Sequence, residues 1–294
     1  RSSAKPFQAL PIVEEGADDR FGISGEELAL CCASHAGSAG HVRRVRGLLE
    51  RIGLAPGDLA CGPHRPFDDD AARSLDRAGE EYAPIHNNCS GKHAGMLARA
   101  VHAGDPTEGY LALDHPVQRR FRASLERWLD VDPDRLGWAT DGCGVPTPYL
   151  SLRQMARAYG RLARAAARGE EAPSAVVSAM IDHPELVSGE GRLTTRLLEA
   201  GRGTLLAKEG AEGVLCLAGL EEGWGMAVKV LDGSKRAMGA AAAELIHRLE
   251  LLDPATRGRL EEERTRPVRN TRDEEVGELR AELSVRSGHV AGRV

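Results

Sequence analysis

The sequence predicts an α+β protein in which a helical block precedes an antiparallel sheet. Three observations carry that expectation. Apolar residues recur at helical spacing through most of the first two hundred residues. After residue 200 the texture turns to short apolar runs broken by glycines. Strands and helices never alternate along the chain, which argues against a dinucleotide-binding fold.

Taken in order, Val42, Val45, Leu48, Leu49 and Ile52 predict an amphipathic helix that stops near Gly53. Val117, Phe121, Leu125, Trp128 and Leu129 repeat the pattern over 115–130, and Leu150, Leu152, Met155, Tyr159 and Leu162 repeat it over 150–166. Polar, Gly- and Pro-rich stretches at 34–40, 61–68, 86–92 and 141–148 lie between helices, the kind of loop on a rigid frame where function concentrates. Thr204 to Lys208, Val214 to Leu220 and Gly225 to Leu231 read as three consecutive antiparallel strands. Asp232-Gly233 closes the last, and an alanine-rich helix follows from about Ser234 to Leu251. These elements place one domain over 1–252. From Asp253 the segment 253–294 is charged and poorer in apolar residues, and its end is expected to be poorly ordered.

A chain of 294 residues can bury one large core or two modest ones. No apolar run approaches the length needed to cross a membrane, and no charged-then-apolar leader is visible. A net charge of −5 gives no general attraction to nucleic acid. Arg43, Arg44 and Arg46 lie among apolar residues at helical spacing and read as a solvated helix face. Six cysteines in a chain this long do not suggest a disulfide framework, so the chain reads as cytoplasmic, with thiols free for packing or metal. Cys31, Cys32, Cys61 and Cys216 read as core residues, whereas Cys89 and Cys143 have unusual surroundings.

Ser2 and Lys5 form a Ser-x-x-Lys unit, whose spacing puts ammonium and hydroxyl on one helix face. A lysine made neutral by burial or by a neighbouring cation can take the serine proton and create a nucleophile. The plainer reading makes Ser2 or Ser3 a helix cap with Pro6 in the first turn. Ala33-Ser34-His35-Ala36-Gly37 ends an apolar helix, either as a C-terminal cap or as a second hydroxyl able to relay a proton. His86-Asn87-Asn88-Cys89-Ser90-Gly91-Lys92-His93 packs a thiol, a lysine, two histidines and two side-chain amides into one helix start. Capping by Asn88 or Ser90 leaves that density of reactive groups unexplained. Asp141-Gly142-Cys143-Gly144-Val145-Pro146 is a tight loop whose glycines let the backbone approach a ligand closely. Cys89 and Cys143 are too far apart for a zinc-finger spacing, yet if they met they would offer half a soft-metal site. Lys208-Glu209-Gly210 ends the first late strand, as an exposed strand-end lysine or as a cleft lysine that tunes a serine.

Together these motifs, with His183-Pro184-Glu185-Leu186-Val187 and Lys208 through Val214, resemble the class 3 (rhizobial-type) L-asparaginases. The resemblance covers residue 1 to about 240 in consistent order. It implies a fold similar to serine β-lactamases, penicillin-binding proteins and glutaminases. It also implies hydrolysis of the L-asparagine side-chain amide through an acyl-enzyme, and a homodimer. Ser2 then matches the nucleophile and Lys5 its base, while Ser34 and Lys208 match a second serine–lysine pair. Cys89, Lys92 and Cys143 match a zinc site in which a neutral amine is one ligand. Arg1, Asp141 and His93 match the substrate pocket, and Gly210, Ala211 and Glu212 match the region of the oxyanion donors. The resemblance further implies that residues normally preceding the nucleophile, and with them the sheet's N-terminal strands, are missing, which would leave an unpaired edge. Two positions depart from the family pattern: Ser38 stands where an acidic residue is usual, and Thr194 where an aspartate precedes the threonine. Two other functions remain open at this point, a different serine–lysine amidase or peptidase and an inactive zinc-stabilised remnant. Cys89, Lys92 and Cys143 favour the asparaginase, because a plain penicillin-binding site has no need of them.

Overall fold

A computed structural model describes residues 1–286. A 3-10 turn, Ser2–Ala4, runs directly into helix α1 (Lys5–Glu14), followed by α2 (Ala17–Phe21), α3 (Gly25–Cys31), α4 (Ala39–Arg51), α5 (Asp69–Ala78), α6 (Ser90–Ala103) and α7 (Pro116–Leu129). Two short strands, β1 (Trp138–Thr140) and β2 (Pro146–Pro148), precede α8 (Leu152–Ala167), α9 (Glu171–Asp182), α10 (Pro184–Val187) and α11 (Leu193–Gly201). Then come β3 (Leu205–Gly210), β4 (Val214–Gly219), β5 (Gly225–Lys229), α12 (Met238–Arg248), α13 (Pro254–Arg259), α14 (Glu261–Arg264), β6 (Thr265–Arg269) and β7 (Glu275–Arg280). The protein is α+β, with small antiparallel sheets.

Local chemistry explains several boundaries. Ser24 and Glu27 close a capping box on α3, and Ser151 and Gln154 do the same on α8. Helix α1 is buried from Lys5 through Ile12, without an exposed stripe, as expected for a helix enclosed in a core. It packs against α6, α7 and α9, and the Phe7 ring meets Trp128 and Tyr159 edge-on at 5.8 and 5.5 Å. That enclosure is why Lys5 is fully buried.

Strands β3, β4 and β5 form an antiparallel sheet in that order, with Lys208 opposite Cys216. Strand β3 is buried along its whole length, and all of β4 but Val214 is buried too, so β4 reads as a continuous apolar run and β3 as one that ends in the buried Lys208 and Glu209. Helix α8 packs on β4 and β5, and α11 lies against β3. Among the described residues β5 pairs on one side only.

The three late strands fall where the glycine-broken runs predict them. The alanine-rich helix is shorter than expected, running from Met238 to Arg248. Within the charged segment after Asp253, α13, α14 and the β6–β7 hairpin form elements that the composition did not signal. Most residues of that hairpin are exposed, so no apolar alternation marks it. The expectation for the end of the segment falls on 287–294, outside the described residues.

Candidate active site

The site assembles where the start of α1, the loop after α3, the start of α6 and strand β3 meet. Lys5 Nζ donates to the carbonyl of Ala33, to Ser34 Oγ at 3.0 Å and to Cys89 Sγ at 3.2 Å. From the opposite side Lys208 Nζ donates to Ser34 Oγ at 3.1 Å and to the carbonyl of Glu209 at 2.9 Å. Ser34 therefore sits between two fully buried amines. Its loop is pinned twice by backbone: Ser34 N–H donates to Val187 O at 2.9 Å and His35 N–H to Asn88 O at 3.1 Å. The His35 ring accepts from Gly37 N–H at Nδ1, so its Nε2 carries the proton and donates to Ser90 Oγ at 2.9 Å, a tautomer assigned from these partners. Burial pushes the Lys208 ammonium down to about 7, and the nearby charge of Lys5 adds to the effect.

Beside Lys5 lies a cluster of thiols and amine. Cys89 is the N-cap residue of α6, Lys92 lies in its first turn, and Cys143 comes from the β1–β2 hairpin. Lys92 Nζ donates to Cys143 Sγ at 3.0 Å. A hydrogen bond from the Cys143 thiol holds Cys89 well below the usual thiol range despite burial, and the charges of Lys5 and Lys92 contribute. The same bond, with burial, pushes Cys143 up. Burial alone would lower Lys92, but the two sulfurs outweigh it and hold the amine above its ordinary value. Gly91 allows this approach, since a Cβ there would lie 2.4 Å from the carbonyl oxygen of Leu30, so α6 starts directly on the last turn of α3.

Two sulfurs and a nitrogen make a donor set that suits zinc, with a fourth position left for a small molecule. Lys92 would have to give up its proton to join it, so metal affinity must fall with falling pH. Among the described residues no three His, Cys, Asp or Glu side chains cluster as ligands. A metal here therefore depends on the lysine.

A third group faces the outer side of the site. Arg1 Nε donates to Asp141 Oδ1 at 2.7 Å and its Nη1 to Glu212 Oε1 at 3.1 Å. Burial would raise the Asp141 carboxyl, but Lys92 and Arg1 hold it below its usual value. Glu212 takes a positive φ of 62° in the turn from Gly210 to Val214. Gly210 itself is pressed against the 3-10 turn, where a Cβ would stand 2.8 Å from Ser3 Oγ. A cavity of about 360 Å3 opens alongside, reaching Arg1, Ser3, Ala211 and Glu212 and continuing over Trp128 and Tyr159. Neither Ser2 nor Ser34 lines it.

The L-asparaginase II family matches residues 1–281, nearly the whole chain. The chain belongs to this family. Membership implies an amidohydrolase with a small-molecule substrate, L-asparagine. A comparison with curated proteins finds no significant match. Among the described residues no helix is long and apolar enough to cross a membrane.

Of the residues the sequence singled out, Lys5, Ser34, Lys208 and Cys89 meet in one hydrogen-bonded cluster, joined to Lys92 and Cys143 through the two sulfurs. Ser2 is half-buried, and no hydrogen bond joins its hydroxyl to Lys5 among the described residues. His93 turns to Tyr110, whose hydroxyl donates to His93 Nδ1 at 2.7 Å, and its buried Nε2 has no partner among the described residues. Three further residues were given no role at the site by the sequence. Buried Ser3 donates to Lys208 O at 3.4 Å, and Tyr159 donates to Ser3 O at 2.8 Å from 156 residues away. Thr194, noted only as a departure from the family pattern, donates its hydroxyl to Glu209 Oε2 and accepts from Glu209 N–H. The doubled serine at 2–3 was the only local signal for any of them.

Proposed function

We propose that the chain hydrolyses the side-chain amide of L-asparagine to L-aspartate and ammonia by acyl transfer to a serine. The observation that carries this is Ser34 Oγ held at 3.0 Å from Lys5 Nζ and 3.1 Å from Lys208 Nζ, in a member of this family. Near neutral pH a substantial share of Lys208 is unprotonated, so it can accept a proton that Ser34 passes on from the nucleophile. Ser2, half-buried beside Arg1, is that nucleophile, and Lys5 is its base. Its oxygen attacks the amide carbon, ammonia leaves with a proton from the lysine–serine network, and an ester remains. Water then gives its proton to the same network and releases aspartate. Backbone N–H groups near Ser2 and over Gly210 to Glu212 stabilise the oxyanion, at about 3 kcal/mol per donor. Asp141 binds the substrate's amino group, and His93 lines the pocket. Zinc, held by Cys89, Lys92 and Cys143, would supply positive charge that orients the α-groups of the substrate.

A second reading makes Ser34 the nucleophile, because Ser34 rather than Ser2 is bonded to both amines. Quenching turnover of L-asparagine and locating the ester by peptide mass spectrometry separates the two. Mass added to the peptide holding Ser2 supports the main assignment, and mass on the Ser34 peptide supports the alternative. Absence of both ester and ammonia release would leave another serine–lysine amidase or a non-catalytic zinc-stabilised protein. We further propose that the sheet and helical block form a serine β-lactamase-like arrangement, with 1–252 as catalytic domain, 253–294 appended, and a cytoplasmic homodimer as the assembly.

A further inference from the structure

Strand β3 carries charge on both sides. Successive side chains of a strand point to opposite faces, so Lys208 reaches Ser34 while Glu209 turns the other way. There Glu209 Oε1 accepts from Lys235 at 2.9 Å, and Oε2 accepts from the N–H and hydroxyl of Thr194 at 3.3 and 3.2 Å. Arg192 Nη2 stands 3.8 Å from the same carboxylate. Burial would raise this acid, but Lys235 and Lys208 hold it down to about 2.

Glu209 lines a groove of about 300 Å3 together with Arg192, Lys235, Arg236 and Arg266. Four cationic side chains thus face one carboxylate, in a chain whose formal net charge is −5. Arg236 and Arg266 are exposed and have no ion-pair partner among the described residues. Two neighbouring grooves are balanced or acidic. Between α12 and the β6–β7 hairpin, Arg248, Arg264 and Arg280 meet Glu244, Glu278 and Glu282. Beside Phe67, Arg73 and Arg192 meet Asp68, Asp69, Asp70 and Glu190.

The basic groove also receives the start of α12 through Met238 and Gly239. That helix has no side-chain cap and no acidic residue of its own in its first turn, so only the Glu263 carboxylate beside Gly239 faces its positive end. Glu263, which approaches Gly239, is already paired with Arg196.

We propose that this groove binds a small anion carrying two or more phosphate groups. Arginine forks match phosphate oxygens in pairs, and a lysine adds a point charge beside them. A helix start adds backbone N–H donors directed at the same oxygens. A single weak anion would be held poorly, because Glu209 repels it and each exposed cation contributes little by itself. Several phosphate oxygens spread over all four cations overcome that repulsion. The ligand would share Lys235 and Arg192 with Glu209, the residue next to Lys208, so its site lies directly behind the amine that touches Ser34.

The test is isothermal titration of the full chain with inorganic triphosphate, without substrate, which keeps it independent of the amidohydrolase assignment. Saturable binding is expected with Kd below about 1 mM at low ionic strength, weakening as salt is raised. The double variant Arg236→Gln/Arg266→Gln should bind about tenfold more weakly, while Arg73→Gln in the acidic groove leaves binding unchanged. Both double-variant positions are exposed and unpaired, so an unaltered melting temperature will verify the fold. Citrate, a polyanion without phosphate, should bind more weakly than triphosphate. Lack of saturation by triphosphate, equal affinity for citrate, or binding that survives the double substitution would overturn the proposal.

Discussion

Ser2 and Ser34 present the same hydroxyl in opposite settings. Ser2 is half-buried, does not line the cavity that Arg1 and Ser3 reach, and has no hydrogen bond to Lys5. Ser34 is buried and receives hydrogen bonds from two amines that arrive from α1 and β3. The difference shows that sequence proximity to a lysine and possession of that lysine are separate properties. Lys5 is three residues from Ser2, yet its ammonium faces Ser34, Ala33 and Cys89, because α1 is enclosed and its first turn opens onto the α3 end. Of the two hydroxyls, Ser34 is the one bonded to both amines.

The largest effect should come from Ser2→Ala, which should lower kcat for ammonia release from L-asparagine by about 10^4 or more. Ser34→Ala should cost about 10^2 to 10^4, the range of one general acid–base partner. A smaller loss in Ser2→Ala than in Ser34→Ala would reverse the division of labour between the two hydroxyls. Next in size is the response to pH. Lys208 accepts a proton only when neutral, and its ammonium is pushed down to about 7. Kcat/KM should therefore rise with pH up to about 7, by as much as tenfold per unit in the acid limb, then level. A rate already flat from pH 5 to 8 would remove Lys208 from the proton path.

The thiol side sharpens the same comparison, because Cys89 shares Lys5 with Ser34. Elemental analysis should find about one zinc per chain, lost in Cys143→Ala. Full occupancy in that variant would remove Cys143 from the donor set. The smallest effect is expected from Tyr159→Phe, which keeps the ring packed on Phe7 but deletes the hydrogen bond to Ser3 O. Urea unfolding should show a loss of about 1 kcal/mol. A value near zero would mean that the hydroxyl does not anchor the 3-10 turn.

Much of the fold was legible because its signals are local. The helix around Val42 to Ile52 and the three glycine-broken strands each follow from periodicity within about ten residues. The β6–β7 hairpin was not legible, since both of its faces meet solvent and neither alternation nor an apolar run marks it. Within the site, the Ser-x-x-Lys unit, the dense helix start at 86–93 and the glycine-flanked Cys143 stood out from composition. The pairing of Lys208 with Ser34 came only with the family resemblance, while Tyr159 was marked only as an apolar helix position and Thr194 only as a departure from the family pattern.

The sequence by itself determined which groups of chemistry exist here: three lysines and two serines in family motifs, two cysteines in polar loops, and a glycine at each close approach. Tertiary structure alone decided which of them touch. Lys208 reaches Ser34 across 174 residues because β3 is buried beside the α1 start and its alternation turns the amine inward. Enclosure also set the charge of that amine, because burial, with the nearby charge of Lys5, pushes its ammonium down to about 7.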